Sequence, residues 1–212
     1  MKACRTPTLI ILASMLFLGS TTAGAQTPDQ ANQATPTGEG SVDLAAMMNR
    51  AREFTAPGEH HQLLSRFLGT WDTEFRITMM PNQPAEKGEA TFGWLVDGRW
   101  LKQESTGTLM GQPMQAFMIL GYDNFKQSYV TATVGSVDTA LLTSEGDLDP
   151  GGEVLITYGT LDEYLTGEHD KMVKYVWRFH SEDRMTMEVH DLPIGEKNTQ
   201  VIEVTYTRKS ES

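Results

Sequence analysis

Apolar and polar residues alternate along most of this chain. The alternation starts after Phe67-Leu68-Gly69-Thr70-Trp71 and runs through Trp71, Thr73, Phe75, Ile77 and Met79. A period of two is that of an extended strand with one face buried. It returns as far as the C-terminus and predicts strands over 70–80, 88–96, 99–108, 114–122, 126–134, 139–147, 153–158, 171–180, 185–191 and 199–209. Turn-forming stretches separate them, among them Pro81-Asn82-Gln83-Pro84, Asp97-Gly98, Asp123-Asn124, Asp149-Pro150-Gly151-Gly152 and Pro193-Ile194-Gly195. About ten strands joined by short connections make an antiparallel meander, and closure into a barrel removes its exposed edges. The expected class is all-β, a barrel of roughly ten antiparallel strands with short N-terminal helices.

The alternation also assigns faces. Val173, Tyr175, Trp177 and Phe179 share one side of their strand, opposite Lys174, Arg178 and His180. Ala90, Phe92, Trp94 and Val96 form a second bulky face, and Ile202, Val204 and Tyr206 a third. Trp94, Tyr175, Trp177 and Phe179 therefore become the candidate walls of a ligand site. An interior of this kind packs solid or leaves a cavity, and the pattern accommodates both.

Upstream of the strands the period changes. Leu63, Leu64, Phe67 and Leu68 fall at helical spacing within Pro57–Phe67, predicting a short helix that lies as a lid over one end of the barrel. Ser41-Val42-Asp43 marks an earlier helix start, with Leu44, Met47 and Met48 on one face and Arg50 and Arg52 near its C-terminal end. Residues 26–56 otherwise read as a disordered linker, rich in Gln, Pro, Thr and Gly up to Gly40. Residues 1–25 read as a secretory signal: Lys2 and Arg5, an apolar run from Leu9 to Gly19, then Ala23-Gly24-Ala25 before Gln26. That run is too short to span a bilayer, and Cys4 precedes it, so it is no lipoprotein cysteine. The expected product is periplasmic or secreted, without a membrane anchor.

Loss of the signal changes the composition. It removes the only cysteine, so the remaining 187 of 212 residues form no disulfide and the core alone must hold the domain. Fifteen basic residues then stand against 28 acidic ones, a formal charge of −13. Such a surface repels nucleic acid and anionic lipid.

Five stretches occur together in the order expected of one family: Leu68-Gly69-Thr70-Trp71-Asp72, Gly98-Arg99-Trp100-Leu101, Gly121-Tyr122-Asp123-Asn124, Thr143-Ser144-Glu145-Gly146 and Glu203-Val204-Thr205-Tyr206-Thr207-Arg208. Over about residues 57–209 the chain resembles the bacterial domain-of-unknown-function family numbered 1579. The resemblance implies a calycin-like, lipocalin-like barrel and carries no activity. In that wider group an arginine late in the last strand packs across a tryptophan of the first. Arg208 and Trp71 are the matching positions, and a cation–π contact would link them. Gly69 allows the tight turn from helix to strand, so Gly69, Trp71 and Arg208 are expected to be structural.

The candidate chemistry centres on His180 and His190, which flank the hairpin around Ser181–Arg184. A four-residue loop would set Glu188 and His190 inside the barrel beside the aromatic residues, as a ligand- or haem-facing pair. Haem barrels of the nitrobindin type use a late histidine as axial ligand, and His190 or His180 would serve. A loop one residue longer on one side turns both outward and pairs Glu188 with Arg178. No motif calls for a cofactor, and haem is the alternative these histidines keep open. Asp147–Glu153 has the carboxylates and glycine of a calcium loop but is broken by Pro150, which makes it a hairpin turn. His60 and His61 would point about 100° apart on a helix and do not easily share one metal, so they are expected to be solvated, with a weak surface copper or zinc site as the alternative. There is no nucleophile elbow, phosphate loop or zinc-protease helix, and Ser144 and Glu145 alternate to opposite faces. The expected function is binding of a small apolar molecule. The alternatives are a haem- or metal-binding barrel with redox or isomerase activity, and a solid-cored envelope protein acting through a protein partner.

Overall fold

A computed structural model describes residues 43–163, 167–192 and 199–210. The signal and most of the linker read from the sequence lie outside the described residues. Helix α1 spans Leu44–Thr55 and is capped by Asp43, whose carboxylate accepts from the Ala45 and Ala46 amides at 3.0 and 3.1 Å. A one-turn helix α2, Glu59–Gln62, runs into a 3-10 turn, Leu63–Arg66. Ten strands follow: β1 Gly69–Ile77, β2 Glu86–Val96, β3 Trp100–Leu109, β4 Gln112–Asp123, β5 Ser128–Gly135, β6 Leu142–Leu148, β7 Val154–Glu163, β8 Glu168–Ser181, β9 Arg184–Asp191 and β10 Thr199–Arg208. Each pairs antiparallel with its neighbours in sequence, and β1 pairs with β10 to close the barrel. The predicted strands are recovered with ends shifted by a few residues.

Meander connectivity gives the barrel two unlike ends. The β2–β3, β4–β5, β6–β7 and β8–β9 turns lie at the end where β1 begins, and the β1–β2, β3–β4 and β5–β6 connections lie at the opposite mouth. At the first end α2 and the 3-10 turn seal the opening, as expected of a lid. Leu63, Leu64 and Phe67 are buried there. The Phe67 ring lies 5.0–5.4 Å from Phe92, Trp177 and Phe179, edge-on to the last two. Tyr129 reaches up from β5 to donate to the His60 carbonyl at 2.9 Å, and burial pushes its phenol pKa up to about 12. The solid core therefore occupies the lidded half.

Arg208 locks the lid to the wall. Its Cα faces that of Trp71 across the β1–β10 seam, and its guanidinium lies 4.0 Å from the Trp71 ring centroid. It donates to the carbonyls of Leu68, Arg66 (3.1 Å) and Glu182 (2.9 Å), while the Trp71 indole donates to the Phe67 carbonyl at 2.8 Å. The Arg66, Phe67 and Leu68 carbonyls are those that the end of a helix leaves without partners, where a cation is also favoured by the dipole, while Glu182 belongs to the β8–β9 turn. Gly69 makes the approach possible. Its φ is +112°, and a Cβ there would stand 2.7 Å from the Arg208 Nη1.

Replacing Arg208 with Ala strands three carbonyls and uncovers Trp71. It should cost about 2–3 kcal/mol of stability, read as a lower urea midpoint at unchanged slope. A loss below about 0.5 kcal/mol would mean that the seam and lid hold without it.

Candidate functional site

The lid fills one half of the barrel and the other half stays partly hollow. A cavity of about 200 Å³ opens toward the mouth, its lining drawn from all ten strands. Roughly 150 Å³ is enough to take benzene in an apolar protein interior. The floor is aromatic, formed by Trp177 and by Tyr206, whose phenol hydrogen-bonds the Gln103 side chain. Phe75, Met118, Met187 and Val204 supply apolar walls. Gly88 and Gly107 approach each other across β2 and β3 on the cavity lining, and a Cβ at Gly88 would stand 2.4 Å from the Thr106 carbonyl oxygen. Two adjacent strands thus contribute no side chain there, which leaves room inside.

The remaining wall is polar. Thr131 on β5, Ser144 on β6 and Thr157 on β7 all point inward and are buried. Their hydroxyls form one chain, 2.6 Å from Thr131 to Ser144 and 2.8 Å from Ser144 to Thr157. Tyr175 stands directly across from Thr157 on β8, and burial raises its phenol pKa. The charged residues on the lining, Glu86 and Lys87, are the first two residues of β2, at the mouth. Glu86 is spent there, accepting from the Met110 amide at 2.5 Å and the Gly111 amide at 3.3 Å across the β3–β4 hairpin.

The sequence candidates divide. Tyr175 and Trp177 line the cavity. Phe179 is buried beneath the lid, with the Arg66 guanidinium 4.1 Å from its ring centroid, and Trp94 packs half-buried at the same end. Neither borders the cavity. Glu188 and His190 take the outward register: Trp177 faces Met187, and Glu188 faces Val176. On the outer wall Glu188 accepts from Arg178 at 2.8 Å and lies 2.8 Å from the His190 Nε2. Burial works to raise its pKa, but the hydrogen bonds from Arg178 and His190 outweigh this and hold it below the ordinary glutamate value. The cause is a bulge between Phe179 and Ser181 that adds the residue the symmetric loop lacks. His180 also points out, 3.0 Å from the Thr186 hydroxyl. Neither imidazole offers the cavity an iron ligand, and among the described residues no group of three or more His, Cys, Asp or Glu is placed to hold a metal.

The other candidate clusters are structural. Asp149 accepts from the Val154 and Glu153 amides at 2.7 and 2.8 Å, which hold its carboxyl below the usual range and shape the turn. His60 stacks on Tyr122, with ring centroids 4.3 Å apart. His61 is buried, accepts from the Gly58 amide at 3.0 Å, and has its pKa lowered by burial. The sequence does not announce the Thr131–Ser144–Thr157 chain, because each residue looks like an ordinary strand residue. The available signal was a hydroxyl at an inward position on three successive strands.

The chain belongs to the family described as protein of unknown function (DUF1579), whose model matches residues 56–208. Among solved structures it is similar to Rv2717c from M. tuberculosis, with 14% identity, 72% of this chain and 99% of that one covered, and a TM-score of 0.52. It is also similar to the S-type phycobiliprotein lyase CPES from Guillardia theta, with 10% identity, coverage of 76% and 98%, and a TM-score of 0.47. The first likeness is one of fold. Among curated proteins, no sequence matches significantly.

The outer placement of Glu188 has a direct test. Arg178→Gln should raise the Glu188 pKa toward the ordinary value, measured by NMR titration of its carboxyl. An unchanged pKa would mean that the two groups do not meet.

Proposed function

We propose that this protein is exported and binds a small, predominantly apolar molecule in the open half of its barrel. One observation carries the reading: a closed barrel sealed at one end keeps an unfilled, largely apolar cavity reached from the other. A core under no constraint but stability fills such space, because each missing contact weakens the fold. Here two inward glycines and a row of small hydroxyl residues leave it open. The residues assigned to binding are Trp177, Tyr175, Met118, Met187 and Tyr206, with Ala116 on the approach.

Export is argued from residues 1–25 alone. Expressed with its leader in a two-membrane bacterium, the protein should be recovered from the periplasm with an intact mass that begins at Gln26. A cytoplasmic product that retains residues 1–25 would refute export and leave the binding reading untouched.

Binding is tested by calorimetry with α-methylstyrene, a neutral apolar probe of nine heavy atoms. The chain should take up about one equivalent. Ala116→Phe, which fills the cavity, should weaken uptake at least tenfold while stability stays within about 2 kcal/mol of the parent. Equal uptake by parent and variant would remove the cavity from the account.

A further inference from the structure

We propose that the cavity is selective for a neutral ligand carrying one acceptor oxygen, such as a ketone or ester, and that Thr157 and Tyr175 donate the hydrogen bonds that read that oxygen. The proposal rests on the cavity reading above and goes beyond it, because an apolar cavity alone would recognise only shape.

A hydroxyl has one hydrogen to give. Ser144 gives its hydrogen to Thr157 at 2.8 Å. In the 2.6 Å contact with Thr131, Ser144 must therefore accept. Thr157 then receives a hydrogen bond and keeps its own hydrogen, for which the described residues supply no acceptor. Its side chain is fully buried and borders the cavity. A buried donor left unspent is unusual in a folded protein, and one aimed at a cavity invites an acceptor from a ligand.

A second donor stands beside it. Tyr175 is the cross-strand partner of Thr157, and both side chains face inward. The Tyr175 phenol makes no hydrogen bond among the described residues, and burial keeps it protonated. The relay from Thr131 through Ser144 also polarises Thr157, since a hydroxyl that accepts a hydrogen bond becomes a better donor. Two donors on paired strands match the two lone pairs of a carbonyl oxygen.

The same wall argues against an ion. The charges on the lining sit at the mouth, and Glu86 is already engaged by two backbone amides. A carboxylate deep in the cavity would lose its water and meet no counter-charge. An ammonium group deep in the cavity would find no carboxylate to pair with.

Two probes of one shape test this. Acetophenone and α-methylstyrene differ by an oxygen in place of a methylene. Thr157→Val and Tyr175→Phe should each weaken acetophenone roughly 3- to 10-fold more than they weaken α-methylstyrene. Thr157→Ser, which keeps the hydroxyl, should restore acetophenone binding, and benzoate should bind at least tenfold more weakly than acetophenone. If both variants weaken the two probes equally, or neither, the acceptor-reading role is wrong while the cavity reading stands. If neither probe binds the parent chain, both fall. Should Thr157→Val fail to fold, Tyr175→Phe decides alone.

Discussion

A barrel made of one meander has a weak point where its first and last strands meet, and here one side chain guards it. Arg208 stands opposite Trp71 on that seam and reaches the carbonyls at the end of the lid. The same guanidinium thus connects the last strand, the first strand and the segment that closes the end. The lid in turn carries Phe67 into the aromatic core and sets which half of the barrel is solid. With the closed end filled, the unfilled space is confined to the other half. The position of the cavity follows from the lock.

The two halves also differ in chemistry for a physical reason. In the lidded half, inward positions carry large apolar residues such as Leu101, Leu120 and Leu155, whose burial supplies most of the driving force for folding. Toward the mouth the inward positions turn to Ser105, Thr131, Ser144 and Thr157. Polar groups buried this way are tolerable because they bond one another. Thr131 gives its hydrogen to Ser144 and Ser144 to Thr157, which leaves one hydrogen over at Thr157, so the wall is stable without being chemically silent.

Much of this was legible in the pattern of residues. Alternation identified all ten strands, and helical spacing identified the lid. The resemblance of five short stretches implied the Arg208–Trp71 contact. The His190 strand was ambiguous because facing has a period of two, and one bulged residue inverts it. No local signal in Phe179-His180-Ser181 announces that bulge. Tyr175 and Trp177 were identified as cavity residues from their strand alone. Phe179, on the same face, fell outside the cavity because depth along the barrel depends on the lid. The hydroxyl wall escaped notice for another reason: Thr131, Ser144 and Thr157 are 13 residues apart in each step, and only the pairing of three strands brings them together.

The central claim is that the open half of this barrel exists to hold a small neutral molecule. Native mass spectrometry of the chain gently purified from its source host tests it most directly. The account predicts a fraction of the protein carrying one extra small mass, released on unfolding and identified as a neutral compound with an acceptor oxygen. A bare chain mass throughout, from cells in every growth condition tried, would contradict it.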